Sequence, residues 1–219
     1  MAPLLKLCGN HSEGDIEVVF HSSADYVGFV FAKSKRKVER NQVIEWLEKQ
    51  GPKGNKKLVA LFVNAATKDI VQAIEGIPFD IIQCHGNESA EQVAEVKDKT
   101  GLDVWKVIHH NEDALSLMKT YKGIADGYIV DCKVGNQWGG TGVSFDWKYT
   151  PSYINEGRVQ QVPVFIAGGI KPMNIDELLR YQPDGIDVSS GIEENGKKSS
   201  KLIRQLEERM NRNGSDVSR

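Results

Sequence analysis

A single-domain (β/α)8 TIM barrel is the fold class this α/β chain predicts, and three observations predict it. Eight short apolar runs alternate with segments of helical periodicity, which is the signature of a parallel sheet with helices between its strands. The runs are apolar on both faces, as strands buried inside and outside a barrel must be. Near the C-terminus, Ala167-Gly168-Gly169-Ile170 is followed by Gly185-Ile186-Asp187-Val188-Ser189-Ser190-Gly191. Each set of small residues ends an apolar run, and the pair is placed like the phosphate cradle after strands seven and eight of such a barrel. A doubly wound open sheet is the competing α/β solution, but it normally uses fewer strands in 219 residues.

The expected strands are Leu4–Cys8, Tyr26–Phe31, Lys57–Val63, Phe79–Cys84, Val104–Ile108, Gly127–Asp131, Val162–Ala167 and Gly185–Val188, all rich in β-branched or aromatic residues. Between them, 16–22, 39–50, 68–75, 90–100, 113–120 and 175–181 have amphipathic spacing, and 199–210 closes the series with Leu202, Ile203, Leu206 and Met210 on one face. Ser12, Thr67, Asn111 and Asn174 are the expected caps, the last with Glu177 in a capping box. The sixth unit is the weakest, because 144–157 carries a poor helical pattern. No linker-like break in composition appears, so residues 1–210 are read as the barrel and 211–219 as a polar, frayed tail.

Composition narrows the function. The chain is 40% apolar and 26% charged, enough for a substantial core. A formal net charge of −2 argues against a nucleic-acid-wrapping surface, so an anionic ligand needs local positive groups. Cys8, Cys84 and Cys132 form no CxxC pair and fit a reducing compartment. No signal-like or membrane-spanning run is visible, and a cytoplasmic protein with no membrane partner is the expectation.

In a barrel the reactive groups lie at the C-terminal ends of the strands. Those positions offer Lys6, Cys8, Asn10, Arg36, Asn64, Gln83, His85, His109, His110, Asp131, Asp187, Ser189 and Ser190. No pair has zinc-ligand spacing, so no metal site is expected. The absence of GxxxxGK[ST] and of a strand-following GxGxxG weakens nucleotide readings.

Lys6-Leu7-Cys8-Gly9-Asn10 resembles the KxCG opening of the phosphoribosylanthranilate isomerase family, enzymes of tryptophan biosynthesis. The resemblance continues in order through Gly28-Phe29-Val30-Phe31 with Ser34-Lys35-Arg36, Val59 to Asn64, and Gln83-Cys84-His85-Gly86-Asn87-Glu88. It extends through Asp131 with Gly139-Gly140-Thr141-Gly142 to Trp147, and ends in the two glycine and serine turns, spanning about residues 4 to 193.

The resemblance implies an Amadori rearrangement of N-(5-phosphoribosyl)anthranilate to 1-(2-carboxyphenylamino)-1-deoxyribulose 5-phosphate, with no cofactor. It implies Cys8 as general base and Asp131 as general acid, and Arg36 on the anthranilate carboxylate. Gly168, Gly169, Ser189 and Ser190 would bind phosphate, aided by a short helix at 192–195, and His85 and Asp187 would border the substrate. Such enzymes occur as monomers and homodimers, and both remain open.

The two implied roles make opposite demands. A thiol near 8.5 must become partly thiolate, helped by positive neighbours, and a carboxyl near 3.9 must stay protonated, helped by burial and negative neighbours. Other phosphate-binding barrels of tryptophan biosynthesis depend on lysine or glutamate catalysts, and an isomerase with the additional histidine-pathway substrate normally carries aspartate where Cys8 stands. A non-catalytic binder of phosphorylated ligands is the rival from another class.

Cys84, Cys132, His11, His21, His109 and His110 are read as structural or surface residues. Trp138 fits both a cover for an aromatic substrate and a rim-packing residue. Two departures from the family pattern stand out. Asn10-His11 replaces Leu-Thr, and Glu194-Asn195-Gly196-Lys197-Lys198 replaces Pro-Gly-x-Lys-Asp, with Lys197 read as the retained lysine.

Overall fold

The computed structural model describes residues 2–51, 53–132 and 144–215. Its eight strands are β1 (Leu4–Leu7), β2 (Tyr26–Val30), β3 (Lys57–Phe62), β4 (Ile81–Cys84), β5 (Asp103–His109), β6 (Gly127–Asp131), β7 (Val164–Ile166) and β8 (Gly185–Val188). They form a closed barrel in chain order, and β1 lies parallel to both β2 and β8, with Lys6 opposite Tyr26 on one side and Asp187 on the other. The helices are α1 (Glu13–Phe20), α2 (Arg40–Gln50), α3 (Thr67–Ile74), α4 (Ala90–Thr100), α5 (Ala114–Thr120), α6 (Thr150–Gln160), α7 (Ile175–Leu179) and α8 (Ser200–Ser215).

Strand alternation divides the apolar residues into two layers. Outward residues such as Leu5, Leu7, Leu58, Ile82 and Val130 pack under the helices in the larger core. Inward residues Tyr26, Val59, Ile81, Trp105, Ile129 and Phe165 fill the barrel interior. Three of these rings meet at its centre, Tyr26 to Trp105 at 5.0 Å and Trp105 to Phe165 at 4.7 Å. They fit because neighbouring strands carry no side chain beside them. A Cβ on Gly185 would stand 2.4 Å from Phe165 ring carbons, and one on Gly127 2.7 Å from Trp105 Nε1. Gly185→Ala is therefore expected to overpack this layer and lower the unfolding free energy by about 1–3 kcal/mol, read by urea denaturation.

At the bottom of the barrel, aspartates just before the even strands each hold an amide from the first two residues of an odd one. Asp25 Oδ2 accepts from Leu5 N at 2.8 Å and Asp80 Oδ2 from Leu58 N at 2.7 Å. Asp126 Oδ2 accepts from Val104 N at 2.9 Å and Asp184 Oδ2 from Val164 N at 3.0 Å. Each carboxylate satisfies an edge amide that the ladder leaves open.

Several local expectations are corrected. The sixth unit does form a helix: Thr150–Gln160 starts with a proline in its first turn and buries Tyr153, Ile154 and Gly157. Its periodicity is faint because part of its contact is glycine, where a Cβ would come 2.4 Å from Val164 Cγ2. Ser12 caps α1, with its side chain accepting from Asp15 N at 3.2 Å. Thr67 is instead the first residue of α3, after Ala66 as N-cap. Asn111 Oδ1 accepts from Asp113 N at 2.8 Å, one turn before α5 begins, and Asp113 is the N-cap. Asn174 makes no side-chain cap because its Oδ1 accepts from Lys171 N and its Nδ2 donates to Gly169 O.

Residues 192–195 are not a helix. A 3-10 turn at Ser190–Ile192 leads into a small antiparallel hairpin of β9 (Glu193–Glu194) and β10 (Lys197–Lys198). Helix α8 continues past Met210 to Ser215. Among the described residues, no helix is long and apolar enough to cross a membrane.

Candidate active site

A cavity of about 1200 Å³ opens at the C-terminal mouth of the barrel, and the nine site residues that the resemblance implies all line it. Cys8 comes from the end of β1, Arg36 from the loop after β2, His85 from β4 and Asp131 from β6. Gly168 and Gly169 follow β7, while Asp187, Ser189 and Ser190 come from β8 and its loop. The common placement follows from the fold: each strand's inward residue at its C-terminal end meets the others at one opening.

Backbone geometry shapes the corner beside the glycine and serine turns. Gly168 and Gly169 have φ of 89° and 64°, which a side chain would strain. Gly9 has φ of 75°, and a Cβ there would fall 2.5 Å from Arg36 Cδ and 2.9 Å from Ser189 Oγ. This glycine is the gap through which Arg36 crosses to the serine turn.

Asp131 is 4% exposed, and its Oδ1 accepts from Cys132 N at 2.7 Å. Burial, reinforced by the charge of Asp187, pushes its carboxyl up to about 7. Its Oδ2 lies 3.6 Å from His85 Nε2. His85 is pushed well below the ordinary imidazole range, first by burial and then by His109, Lys106 and Lys6. Near neutral pH the contact therefore joins an uncharged imidazole to a carboxyl that is partly protonated. The other imidazole nitrogen, Nδ1, lies 3.0 Å from Gln83 Nε2, which fixes the ring.

Cys8 differs from expectation. Positive groups do flank it, with Lys6 and Lys198 both favouring the thiolate, but burial and the charge of Asp187 win, and the thiol is raised above its usual range. The acid and the thiol are thus both pushed up, rather than apart. Both are shifted toward their protonated forms.

Arg36 is buried, and its side chain turns inward as expected. It meets a carboxylate of the protein itself: Nε donates to Glu193 Oε1 and Nη2 to Glu193 Oε2, each at 2.7 Å. Lys198 Nζ donates to the same Glu193 Oε1 at 2.9 Å, to Cys8 O at 2.6 Å and to Ser189 O at 3.1 Å. Burial pushes the Glu193 carboxyl up, but Arg36 and Lys198 outweigh it and hold it low. The lysine turned into the site is therefore Lys198; Lys197 is exposed. The sequence assigns no role to Glu193 or Lys198, because a short helix is expected at 192–195 where the hairpin forms.

The other histidines make contacts within the fold. His110 Nδ1 lies 2.7 Å from Tyr153 OH with its ring stacked on Phe145, and His109 Nε2 lies 3.2 Å from His85 O. His11 contacts Asp15 at 3.1 Å, and His21 contacts Glu17 O at 2.7 Å. Cys84 sits in the outer core with its thiol pushed up to about 12 by burial. Trp138 and Gly139-Gly140-Thr141-Gly142 lie outside the described residues.

Comparison with known proteins agrees with this geometry. Residues 5–209 match the family model described as N-(5'-phosphoribosyl)anthranilate (PRA) isomerase. A relative of the same name from Halalkalibacterium halodurans is 52% identical over 219 residues, covering 100% of both chains. The crystal structure of phosphoribosyl anthranilate isomerase from Thermotoga maritima superposes with a TM-score of 0.82 at 26% identity, covering 95% of this chain and 98% of that one. A crystal structure of phosphoribosyl anthranilate isomerase in complex with reduced 1-(o-carboxyphenylamino)-1-deoxyribulose 5-phosphate superposes with a TM-score of 0.79 at 25% identity, with coverage of 95% and 98%.

Proposed function

The chain belongs to the phosphoribosylanthranilate isomerase family, an enzyme family of tryptophan biosynthesis, and from that premise we infer an Amadori rearrangement run by Asp131 and Cys8. The substrate is N-(5'-phosphoribosyl)anthranilate and the product 1-(2-carboxyphenylamino)-1-deoxyribulose 5-phosphate. The observation that carries the mechanism is Asp131, a carboxyl held up to about 7 inside the same cavity as the Cys8 thiol.

Protonated Asp131 gives its proton to the furanose ring oxygen. The C1–O bond breaks, and the anilino nitrogen supplies the electron pair of a protonated Schiff base. The Cys8 thiolate removes the proton from sugar C2, and those electrons neutralise the iminium to give an enolamine. Tautomerisation protonates C1 and leaves the ketone at C2. Asp131 has given one proton and Cys8 has taken one, so a return transfer resets the pair. No oxidant enters: C1 is reduced as C2 is oxidised.

Gly168, Gly169, Ser189 and Ser190 anchor the phosphate through amides and hydroxyls, which fixes the sugar over the pair. His85 and Asp187 border the sugar. Arg36 keeps its Nε–Nη2 edge on Glu193 and offers Nη1 to the anthranilate carboxylate, which is why lysine is a poor substitute. Arg36→Lys is expected to raise KM about 10- to 100-fold, the worth of a hydrogen bond to a charged group, with kcat little changed in steady-state kinetics. The activity itself is tested by adding freshly formed phosphoribosylanthranilate and following the loss of its fluorescence. No loss above background favours a phosphate-ligand binder instead.

A further inference from the structure

Lys6 is a lysine in the middle of an apolar strand, and its ammonium is completely buried in the barrel. Its side chain shares the inward face with Cys8, two residues along β1. Both head groups converge on the bare Cα of Gly28: a Cβ there would stand 2.7 Å from Cys8 Sγ and 3.2 Å from Lys6 Nζ. Gly28 thus makes room for ammonium and thiol together. Across the β1–β8 ladder, Lys6 Nζ donates to Asp187 Oδ1 at 3.0 Å.

We propose that Lys6 is the positioning residue that stabilises the Cys8 thiolate, sharing its single buried charge between Asp187 and the sulfur when the thiol ionises. This rests on the reading of Cys8 as base. The groups around the sulfur leave Lys6 this task. Lys198 is the other cation beside it, but its ammonium is engaged by Glu193, Cys8 O and Ser189 O. Arg36 is held by Glu193, His85 is neutral, and Asp131 and Asp187 disfavour a second anion. When the thiolate forms, Lys6 remains an ammonium throughout. When sulfur takes the C2 proton, Lys6 returns wholly to Asp187. The lysine moves no proton; it sets how often the sulfur is ready to accept one.

The direct test is alkylation of Cys8 by iodoacetamide as a function of pH, read by peptide mass spectrometry alongside turnover. In Lys6→Met the inflexion is expected at least about one pH unit higher than in the wild type, the usual size of an effect from an adjacent opposite charge. At neutral pH, kcat should fall about tenfold or more, while KM stays within about threefold. Lys6→Arg keeps the charge and is expected to recover most of both. Lys6→Met alone leaves Asp187 buried without its cation. Lys6→Met/Asp187→Asn removes both members of the ion pair and supplies a folded comparison against Asp187→Asn.

Alkylation profiles of Lys6→Met and the double variant that coincide with those of the wild type and Asp187→Asn would overturn the proposal, whatever turnover does. Failure of the base assignment looks different. Cys8→Ala would then turn over near normally while the Lys6 variants still shifted the alkylation profile.

Discussion

Replacing Cys8 by alanine is expected to lower kcat by about 10²- to 10⁴-fold, the range a positioned general base contributes, while the barrel stays folded. The fold should survive because the sulfur is a small part of a minor apolar cluster with Val30 and Leu61, set apart from the two main cores. Far-UV circular dichroism and urea unfolding close to wild type, beside the kinetic loss, would separate chemistry from stability. Turnover within about tenfold of wild type would remove Cys8 from the mechanism.

Cys8→Ser sharpens the point. It retains a polar group of similar size in the same place, so a loss comparable with alanine assigns the rate to ionisation rather than to packing. The raised thiol has a kinetic consequence. With Asp131 near 7 and Cys8 above its usual range, the working form, with thiolate and protonated acid, is a minor species at every pH. Its fraction rises with pH up to about 7 and then levels, because above that point each new thiolate arises as Asp131 loses its proton. It falls again only beyond the thiol's own range. Positive charge close to the sulfur therefore controls the height of the plateau, and Lys6 is buried beside it.

How far this could be seen in the sequence depended on what each residue touches. Strands such as Gly127–Asp131 and Gly185–Val188 were legible to the residue, because burial on both faces demands unbroken apolar runs. Helix α6 was obscured because Gly157 contributes close approach to Val164 instead of an apolar side chain. Asn174 is the N-cap of α7 as expected, but without a side-chain cap bond, because its side chain is drawn to the backbone of the glycine loop after β7.

In the site, the line of strand ends brought Cys8, His85, Asp131 and Asp187 together as expected. What could not be read was which charges hold which. Glu193 in the fork of Arg36 joins residues 157 apart in the chain, and Lys6 with Asp187 joins residues 181 apart. One clue was nonetheless present. A lysine inside Leu4-Leu5-Lys6-Leu7-Cys8, in step with the cysteine, must either be buried with a partner or break the strand.

Asp131→Asn is expected to lose about 10²- to 10⁴-fold in kcat, since an amide cannot give a proton to the ring oxygen, and to change two pH profiles as it does so. The residual kcat/KM should lose the break near pH 7 that the wild type owes to this carboxyl, and rise until the thiol itself titrates. Stability should respond in the opposite sense to activity. The folded-state pKa of Asp131 lies above its ordinary value, so folding favours the protonated acid. Its contribution to stability is complete below about pH 4 and is lost as pH rises through about 7. Above that pH the wild type must bury a carboxylate, and the asparagine variant does not. Between pH 4 and 8 the variant should gain roughly 3–5 kcal/mol on the wild type, read as diverging urea midpoints. Parallel stability curves would mean that the carboxyl is not held protonated, and the acid of the reaction would have to be sought elsewhere in the cavity. A diverging pair together with the lost activity would tie both effects to one cause: the barrel gives up stability at neutral pH to keep a proton on Asp131.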